Sequence, residues 1–528
     1  MKNCLVTFEP SGLRISVDEA STFLDAVRLA GLHLPSDCGG AGTCGKCTLV
    51  LQPAPEPTTV DEKYLTKSNI KKGLRLACQH KVRCDTRARV LAPEGKAKIL
   101  TEALTQRSDW VLDSGFVNKY GIAIDLGTTT VVVYLLALDS GIQIGQVAAL
   151  NPQIVFGEDV MSRITHAVRE VNGLSELKSM ITKEIEKIVE SLLESSGIEP
   201  ESLMRMVVVG NTAMHHLLLG ADVEPLGLAP YEPTIREAIV TSSSKIGIST
   251  KADAEVFLPP NIAGFVGGDT VGFILSQRLD MSDQIVVGID VGTNGEIVLS
   301  DRGELTCCST AAGPAFEGAT IRYGMRGQEG AIEHVVINDP DAPPELAVIG
   351  NVEPQGICGS AIVDSVAELR KVGILDNSGR MQTTSSRVFD DDEFGLSYLL
   401  VDDPTRKISF NQKDVRQVQL AKAAMSAGVK ILLQESEIAA EEIDTVMLAG
   451  AFGSYIRPES ALGIGLLPPV KREKIIQVGN AAGEGAKALL LSSQARTVAN
   501  DFVSKTKYIE LATHDDFQSI FIDSIALP

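Results

Sequence analysis

Asp37-Cys38-Gly39-Gly40-Ala41-Gly42-Thr43-Cys44-Gly45-Lys46-Cys47 places three cysteines at C-x5-C-x2-C, and a fourth, Cys78, follows Cys47 after thirty intervening residues. This is close to the C-x4-C-x2-C…C spacing by which four thiolates hold a two-iron, two-sulfide cluster. Three ligands on one short loop must wrap a small object. The loop therefore turns tightly and brings backbone N–H groups toward the sulfurs, which glycine allows at least steric cost. Structural zinc usually takes two short C-x2-C pairs, and only one such pair exists here. A disulfide framework fits poorly with a chain that reads as intracellular. Cys4 and Cys84 fall outside the spacing, and Cys84 reads as an ordinary buried thiol.

Outward from this loop, residues 3–8 and 13–17 read as paired strands across a Pro10-Ser11-Gly12 turn. Ser21 or Thr22 caps a helix from Phe23 to Leu32. Strands follow at Thr48–Leu51 and near Ala88–Leu91. Mixed strands around one helix, with the cysteine loop at the edge, suit a β-grasp [2Fe–2S] ferredoxin module over residues 1–92, with Cys38, Cys44, Cys47 and Cys78 as metal ligands. Residues 93–117 read as a polar linker holding the single tryptophan, Trp110, with helix over part of it.

The remaining sequence is long α/β texture with an internal echo. Gly121-Ile122-Ala123-Ile124-Asp125-Leu126-Gly127-Thr128-Thr129-Thr130 opens one half, and Gly288-Ile289-Asp290-Val291-Gly292-Thr293-Asn294-Gly295 opens the other. Each is an apolar strand ending in Asp-x-Gly-Thr, then a turn and a second apolar strand. Backbone N–H groups at such a tip approach phosphate oxygens, so Gly127, Thr128, Thr129, Gly292, Thr293 and Asn294 are candidate ATP contacts. Asp125 and Asp290, just before the turns, can hold Mg²⁺ through water, because Mg²⁺ prefers oxygen ligands and keeps several waters. A third element, Val446-Met447-Leu448-Ala449-Gly450-Ala451-Phe452-Gly453, is an apolar strand running into Gly-x-x-Gly. Gly450, Phe452 and Gly453 there open space for adenosine. Val209-Gly210-Asn211-Thr212 reads as a strand leading into a helix N-terminus, and Gly210, Asn211 and Thr212 are further phosphate candidates. Adjacent His215 and His216 face different sides of that helix and read as structural. Cys307, Cys308 and Cys358 read as small buried residues.

The order of these elements resembles the superfamily of acetate and sugar kinases, Hsp70 and actin. That resemblance implies a two-lobed ATPase of duplicated ribonuclease H-like fold, with lobes over 118–281 and 282–528. Gly267-Gly268-Asp269 is similar to the sugar-kinase segment that supplies a general base, which implies that Asp269 activates a water against the γ-phosphate. A helix N-cap is the other role open to it. Over nearly its whole length the chain resembles the reductive activators of corrinoid-dependent methyltransferase systems. The residues that carry this likeness are the cysteine pattern, 209–212, Ala263–Asp269, Asp290–Glu296, Gly313-Pro314-Ala315-Phe316-Glu317-Gly318 and Ile357-Cys358-Gly359-Ser360. The resemblance implies ATP-dependent reduction of cob(II)amide to cob(I)amide on a separate corrinoid protein, with a reductase or ferredoxin feeding the cluster. Longer members carry a middle domain between linker and ATPase that is associated with dimerisation. The 25 residues of 93–117 leave no room for it, which puts a homodimer in doubt. Sugar kinases share the hairpins and the Gly-Gly-Asp, so a small-molecule kinase with a regulatory iron–sulfur module is the alternative reading.

The bulk numbers narrow the partners. Net charge is −20 over 528 residues, which argues against nucleic acid. Residues 1–92 carry 13 basic and 9 acidic side chains, so +4, and the rest carry 35 and 59, so −24. A cationic front module suits docking on an acidic surface. There is no signal-peptide pattern and no uncharged apolar run of spanning length, so no membrane partner and a cytoplasmic location are expected.

Overall fold

The computed structural model describes residues 3–9, 13–30, 32, 34, 36, 38–90, 110–292, 294–403 and 406–528. The bulk of the linker, 93–109, and the site candidate Thr293 lie outside the described residues. The chain falls into two compact units, one of Met1–Gly95 with Pro152–Leu177, the other of Lys96–Asn151 with Lys178–Pro528.

The first unit is built on a five-stranded sheet in the order Arg14–Asp18, Asn3–Glu9, Thr86–Val90, Thr48–Gln52, Leu74–Leu76. Asn3–Glu9 and Thr86–Val90 pair in parallel, with Val6 opposite Thr86, and the other pairs are antiparallel. The helix Phe23–Leu29 opens with a reciprocal capping box: Asp25 N–H donates to Thr22 Oγ1 at 3.1 Å and Thr22 N–H to Asp25 Oδ2 at 2.8 Å. It buries Phe23, Leu24, Ala26 and Val27 against Val6, Phe8, Leu49 and Leu51 of the sheet. This is the β-grasp arrangement, although the helix ends at Leu29 rather than Leu32, with Ala30 N–H returning to Ala26 O. Cys4 is buried, but Cys84 is exposed. The expectation of a buried Cys84 is therefore corrected: it precedes the last strand on a turn outside the core.

Pro152–Leu177 joins this unit through Arg28, an association that local patterning does not reveal. Arg28 Nε donates to Val155 O and Nη2 to Gly39 O, both at 2.8 Å, and the guanidinium lies 4.8 Å above the Phe156 ring. A Cβ at Gly39 would lie 2.6 Å from Phe156 O, so the backbones approach as closely as a glycine allows.

The second unit holds two six-stranded sheets that share a five-strand order, the sixth strand lying on opposite edges, Ile239–Ser242 beyond the parallel strands in one and Lys507–Tyr508 beyond the meander in the other. One runs Ile239–Ser242, Glu255–Leu258, Leu203–Gly210, Tyr120–Leu126, Thr130–Ala137, Gln143–Leu150. The other runs Ile475–Gly479, Thr445–Ala449, Ile285–Val291, Gly295–Asp301, Glu304–Thr310, Lys507–Tyr508. In each, an antiparallel three-strand meander lies beside a later strand parallel to its first: Asp125 pairs opposite Val209, and Asp290 opposite Ala449. The near-continuous apolar runs follow from burial on both faces. The internal echo is thus a structural duplication. Two smaller three-stranded sheets, around Ala331–Val336 and Gly395–Asp403, extend the second lobe.

One apolar core joins the bases of the two lobes. It includes Ala123, Val132 and Tyr134 from the first sheet and Val286, Val298 and Ala449 from the second. Helices Gly268–Gln277 and Ala481–Leu491 run through it and cross backbone to backbone. A Cβ on Gly485 would fall on Gly272, and one on Gly272 would lie 2.8 Å from Ala482 O. Among the described residues no helix is long and apolar enough to cross a membrane. Gly485→Ala is expected to destabilise the protein by roughly 1–3 kcal/mol through overpacking. Gly463→Ala, where a Cβ would make only an ordinary 3.6 Å contact with Ala367, should leave the thermal midpoint unchanged. Calorimetry of the two variants checks this.

Candidate functional site

Strand pairing assembles the thiols. Thr48 is opposite Leu76, so the residues just outside that pair, Cys47 and the turn Ala77–Gln79 bearing Cys78, are held together, with Ala77 N–H donating to Cys47 O at 2.6 Å. Cys38 and Cys44 meet on the loop itself, whose four glycines, Gly39, Gly40, Gly42 and Gly45, all adopt left-handed φ. A hydrogen bond between the sulfurs lowers the Cys38 thiol to about 4 and raises that of Cys44. The equivalent bond lowers Cys78 to about 7 and raises Cys47. Two thiols beside two thiols match what a two-iron cluster needs, a pair for each iron. Among the described residues no three His, Cys, Asp or Glu side chains close on a single ion. Behind the fourth cysteine sits Asp61, which sequence reading did not single out. Its Oδ1 accepts Leu76 N–H at 2.8 Å and its Oδ2 lies 2.6 Å from His80 Nε2. Burial pushes its carboxyl up, but bonds from Thr58, Leu76 and His80 outweigh that and hold it low.

In the second unit the hairpin tips are pinned from behind. Gly127 N–H donates to Thr130 O at 2.9 Å, and Gly292 N–H to Asn294 O at 3.2 Å. Buried Asn151 grips the first tip, with its N–H on Thr129 O and its Nδ2 on Gly127 O, both at 2.9 Å. Asn211 caps the helix Thr212–Leu219 through Met214 N–H and donates Nδ2 to Thr128 Oγ1 at 2.9 Å. Thr212 is fully buried, and its hydroxyl donates to Ala263 O at 2.6 Å, away from the hairpin. Gly210 has no room for a Cβ, which would lie 2.6 Å from Leu126 O.

The third element meets the second hairpin directly. Gly450, at φ +81, has Asp290 Oδ1 where its Cβ would be. Phe452 stacks on Phe316 with ring centroids 5.2 Å apart, and Gly359 packs beneath both. The segments around 313–318, 356–360 and 450–453 therefore converge. Gly453 O accepts Gln477 Nε2 at 3.0 Å.

Asp125, Asp269, Asp290 and Glu296 form one electrostatic cluster, each deep in the unit but keeping an accessible edge. Asp290 and Glu296 are cross-strand partners. Burial raises Asp125 to about 6, against a hydrogen bond from Asn480 that lowers it. Burial, then the charges of Asp290 and Asp125, raise Asp269 to about 7. Burial and Asp125 raise Asp290 to about 7. Glu296 is pushed well above the usual carboxylate range by burial, Asp269 and Asp290. Asp269 is not the helix cap, which is Gly267. It lies in the first turn and accepts Thr270 N–H at 2.7 Å.

Asn480 was missed by sequence reading. It caps the helix Ala481–Leu491 and donates Nδ2 to Asp125 Oδ2 at 2.9 Å. A signal for it existed: Val478-Gly479-Asn480-Ala481-Ala482 repeats the form of Val209-Gly210-Asn211-Thr212-Ala213, and both asparagines cap a helix and reach the first hairpin. His215 and His216 are buried on backbone carbonyls, Val208 O at 3.1 Å and Thr212 O at 2.7 Å. Cys307, Cys308 and Cys358 are buried.

Comparison with known proteins joins the two sites. A 2Fe-2S iron-sulfur cluster binding domain matches residues 6–83. The RACo middle region matches 120–282, and the C-terminal domain of RACo, the ASKHA domain, matches 284–528. The middle region is thus present, and the expectation that the chain has no room for it is corrected: it is built on the first hairpin and its sheet rather than inserted before them. The corrinoid activation enzyme RamQ of Eubacterium limosum is 36% identical over 415 residues, covering 76% of this chain and 69% of that protein. The Co(II) methylated amine-specific corrinoid protein reductase of Methanosarcina barkeri is 24% identical over 434 residues, 76% of each chain. A solved reductive activator for corrinoid, iron-sulfur protein superposes with a TM-score of 0.70 at 30% identity, over 99% of this chain and 98% of that one. The chain therefore belongs to the family of reductive activators of corrinoid proteins, enzymes that place a [2Fe–2S] module ahead of an ASKHA body.

Proposed function

We propose that this enzyme reductively activates a separate corrinoid protein, delivering one electron that takes cob(II)amide to cob(I)amide, and that ATP hydrolysis in the second unit drives the transfer. The carrying observation is the duplicated Asp-ended hairpin, with Asp290 against Gly450, in one chain with a two-plus-two set of thiols. Cys38, Cys44, Cys47 and Cys78 would hold the [2Fe–2S] cluster, which supplies a one-electron couple refilled by a reductase or ferredoxin. The tips at Gly127–Thr129 and Gly292–Asn294 would bind the phosphates of ATP through backbone N–H groups. Gly450, Phe452 and Gly453 would border the adenosine. Asp125 and Asp290 would carry Mg²⁺ through water, and Asp269 would take a proton from the attacking water.

The magnitudes are compatible. Plant-type two-iron centres lie near about −400 mV. An acceptor roughly 100 mV lower costs ~2.3 kcal/mol for one electron, which lies within the ~1–3 kcal/mol typical of coupling between protein sites. A nucleotide-driven conformational change can offset that gap without a phosphorylated intermediate.

Mixing reduced protein anaerobically with candidate corrinoid proteins, with and without Mg-ATP, should give the cob(I) absorbance band only with nucleotide. Activation without nucleotide, or phosphoryl transfer from ATP to a metabolite, would overturn the proposal. Asp125→Asn and Asp290→Asn should each lower nucleotide-dependent activation at least about a hundredfold while leaving the visible spectrum of the front module intact. The kcat/KM for ATP, which reports the nucleotide-free enzyme, should rise with pH through about 7 as Asp269 loses its proton, and Asp269→Asn should abolish that limb. In nucleotide-free protein the three aspartates bind protons more tightly folded than unfolded, so stability should fall as pH rises from about 4 to 7. Asp290→Asn should flatten that slope in thermal melts.

A further inference from the structure

We infer that Gln79 sets the reduction potential of the cluster by donating its side-chain amide to the sulfur of Cys78 through a gap that Gly42 leaves open. The inference rests on the proposal that Cys78 holds the cluster. Gln79 Nε2 lies 3.2 Å from Cys78 Sγ. Gly42, at φ +75 on the opposite side of the loop, has no side chain, and a Cβ there would lie 2.6 Å from that same amide nitrogen and 3.2 Å from its carbon. The amide therefore occupies space that any other residue at position 42 would contest.

The arm is mounted on a fixed base. Gln79 closes the short turn Ala77–Gln79. On one side Leu76 N–H is held by Asp61 Oδ1 at 2.8 Å and Ala77 N–H by Cys47 O at 2.6 Å. On the other, the His80 ring is held by Asp61 Oδ2 at 2.6 Å. Both flanks of the glutamine are tied to one buried carboxylate, so its amide meets the sulfur in a set direction.

The chemistry gives the sign. Reduction adds one negative charge, and part of that charge rests on the ligating sulfurs. A donor to one of those sulfurs stabilises the reduced form more than the oxidised form, and hydrogen bonds to sulfur are a recognised lever on such potentials. Gln79 therefore makes the cluster easier to charge and a milder donor. It is a positioning residue: it acts through Cys78 and touches no substrate.

The test is an anaerobic redox titration of the whole protein, followed by the EPR signal of the reduced cluster, in wild type, Gln79→Leu and Gln79→Asn. Leu fills the space without a donor, and Asn keeps the amide on an arm too short to reach. Both should retain iron and the visible bands. Both should lose about tenfold in the reduction equilibrium, a midpoint about 59 mV lower for one electron. A midpoint within about twofold of wild type in that equilibrium, with iron intact, would overturn the role of Gln79. So would loss of the cluster in both variants, which would make Gln79 an assembly residue. Wild-type protein that takes up no two-iron cluster would instead overturn the four-thiol reading, so the two failures are separable.

Discussion

Four carboxylates gathered where water is scarce dominate the second unit. Burial raises the proton affinity of Asp125, Asp269, Asp290 and Glu296. The charges of Asp290 and Asp125 raise Asp269 further, that of Asp125 raises Asp290, and those of Asp269 and Asp290 raise Glu296, because like charges close together in a poorly solvated space cannot all ionise. Hydrogen bonds oppose this, from Asn480 to Asp125, from Thr270 N–H to Asp269 and from Ser309 to Glu296. Everything around them maintains this tension. The parallel strands carry the two hairpin aspartates to matching positions, and Gly450 yields its side-chain space to Asp290. A divalent cation bound as proposed would let the set ionise together, so cation, nucleotide and the general base would become one linked event.

The first unit solves a different problem with local means. Its two halves of the thiol set come from a glycine loop and from one antiparallel register, Thr48 against Leu76. The capped helix and the sheet behind it form a small apolar core, and Asp61 stiffens the edge nearest Cys78. Arg28 is the exception to this locality. Two of its N–H groups donate to carbonyls 116 positions apart in sequence, Gly39 and Val155, and so recruit Pro152–Leu177 into the module.

What could be read from sequence was what repeats or clusters locally. The cysteine spacing, the β-grasp strands and the twin Asp-x-Gly-Thr hairpins are contiguous patterns, and the backbone follows them closely. The contributions of Asn480, Asn151 and Asp61 are long-range: each asparagine or aspartate looks like an ordinary cap or loop residue until the fold brings its partner near. Glu296 was visible within its motif, but its strain depends on facing Asp290 across the hairpin. Cys84 was misjudged because exposure at a strand's entrance depends on the turn, not on residue type. The middle region was overlooked because it was sought as an insertion, whereas it is the first half of the duplication itself.

The glycine contact between Gly268–Gln277 and Ala481–Leu491 has a mechanical meaning. Packed helices normally resist sliding because ridges of side chains sit in opposing grooves. Here, at the point of closest approach, neither partner has a ridge. Such a joint lets the two helix axes come closer than side-chain-bearing faces allow, so any larger residue at the crossing has to push them apart.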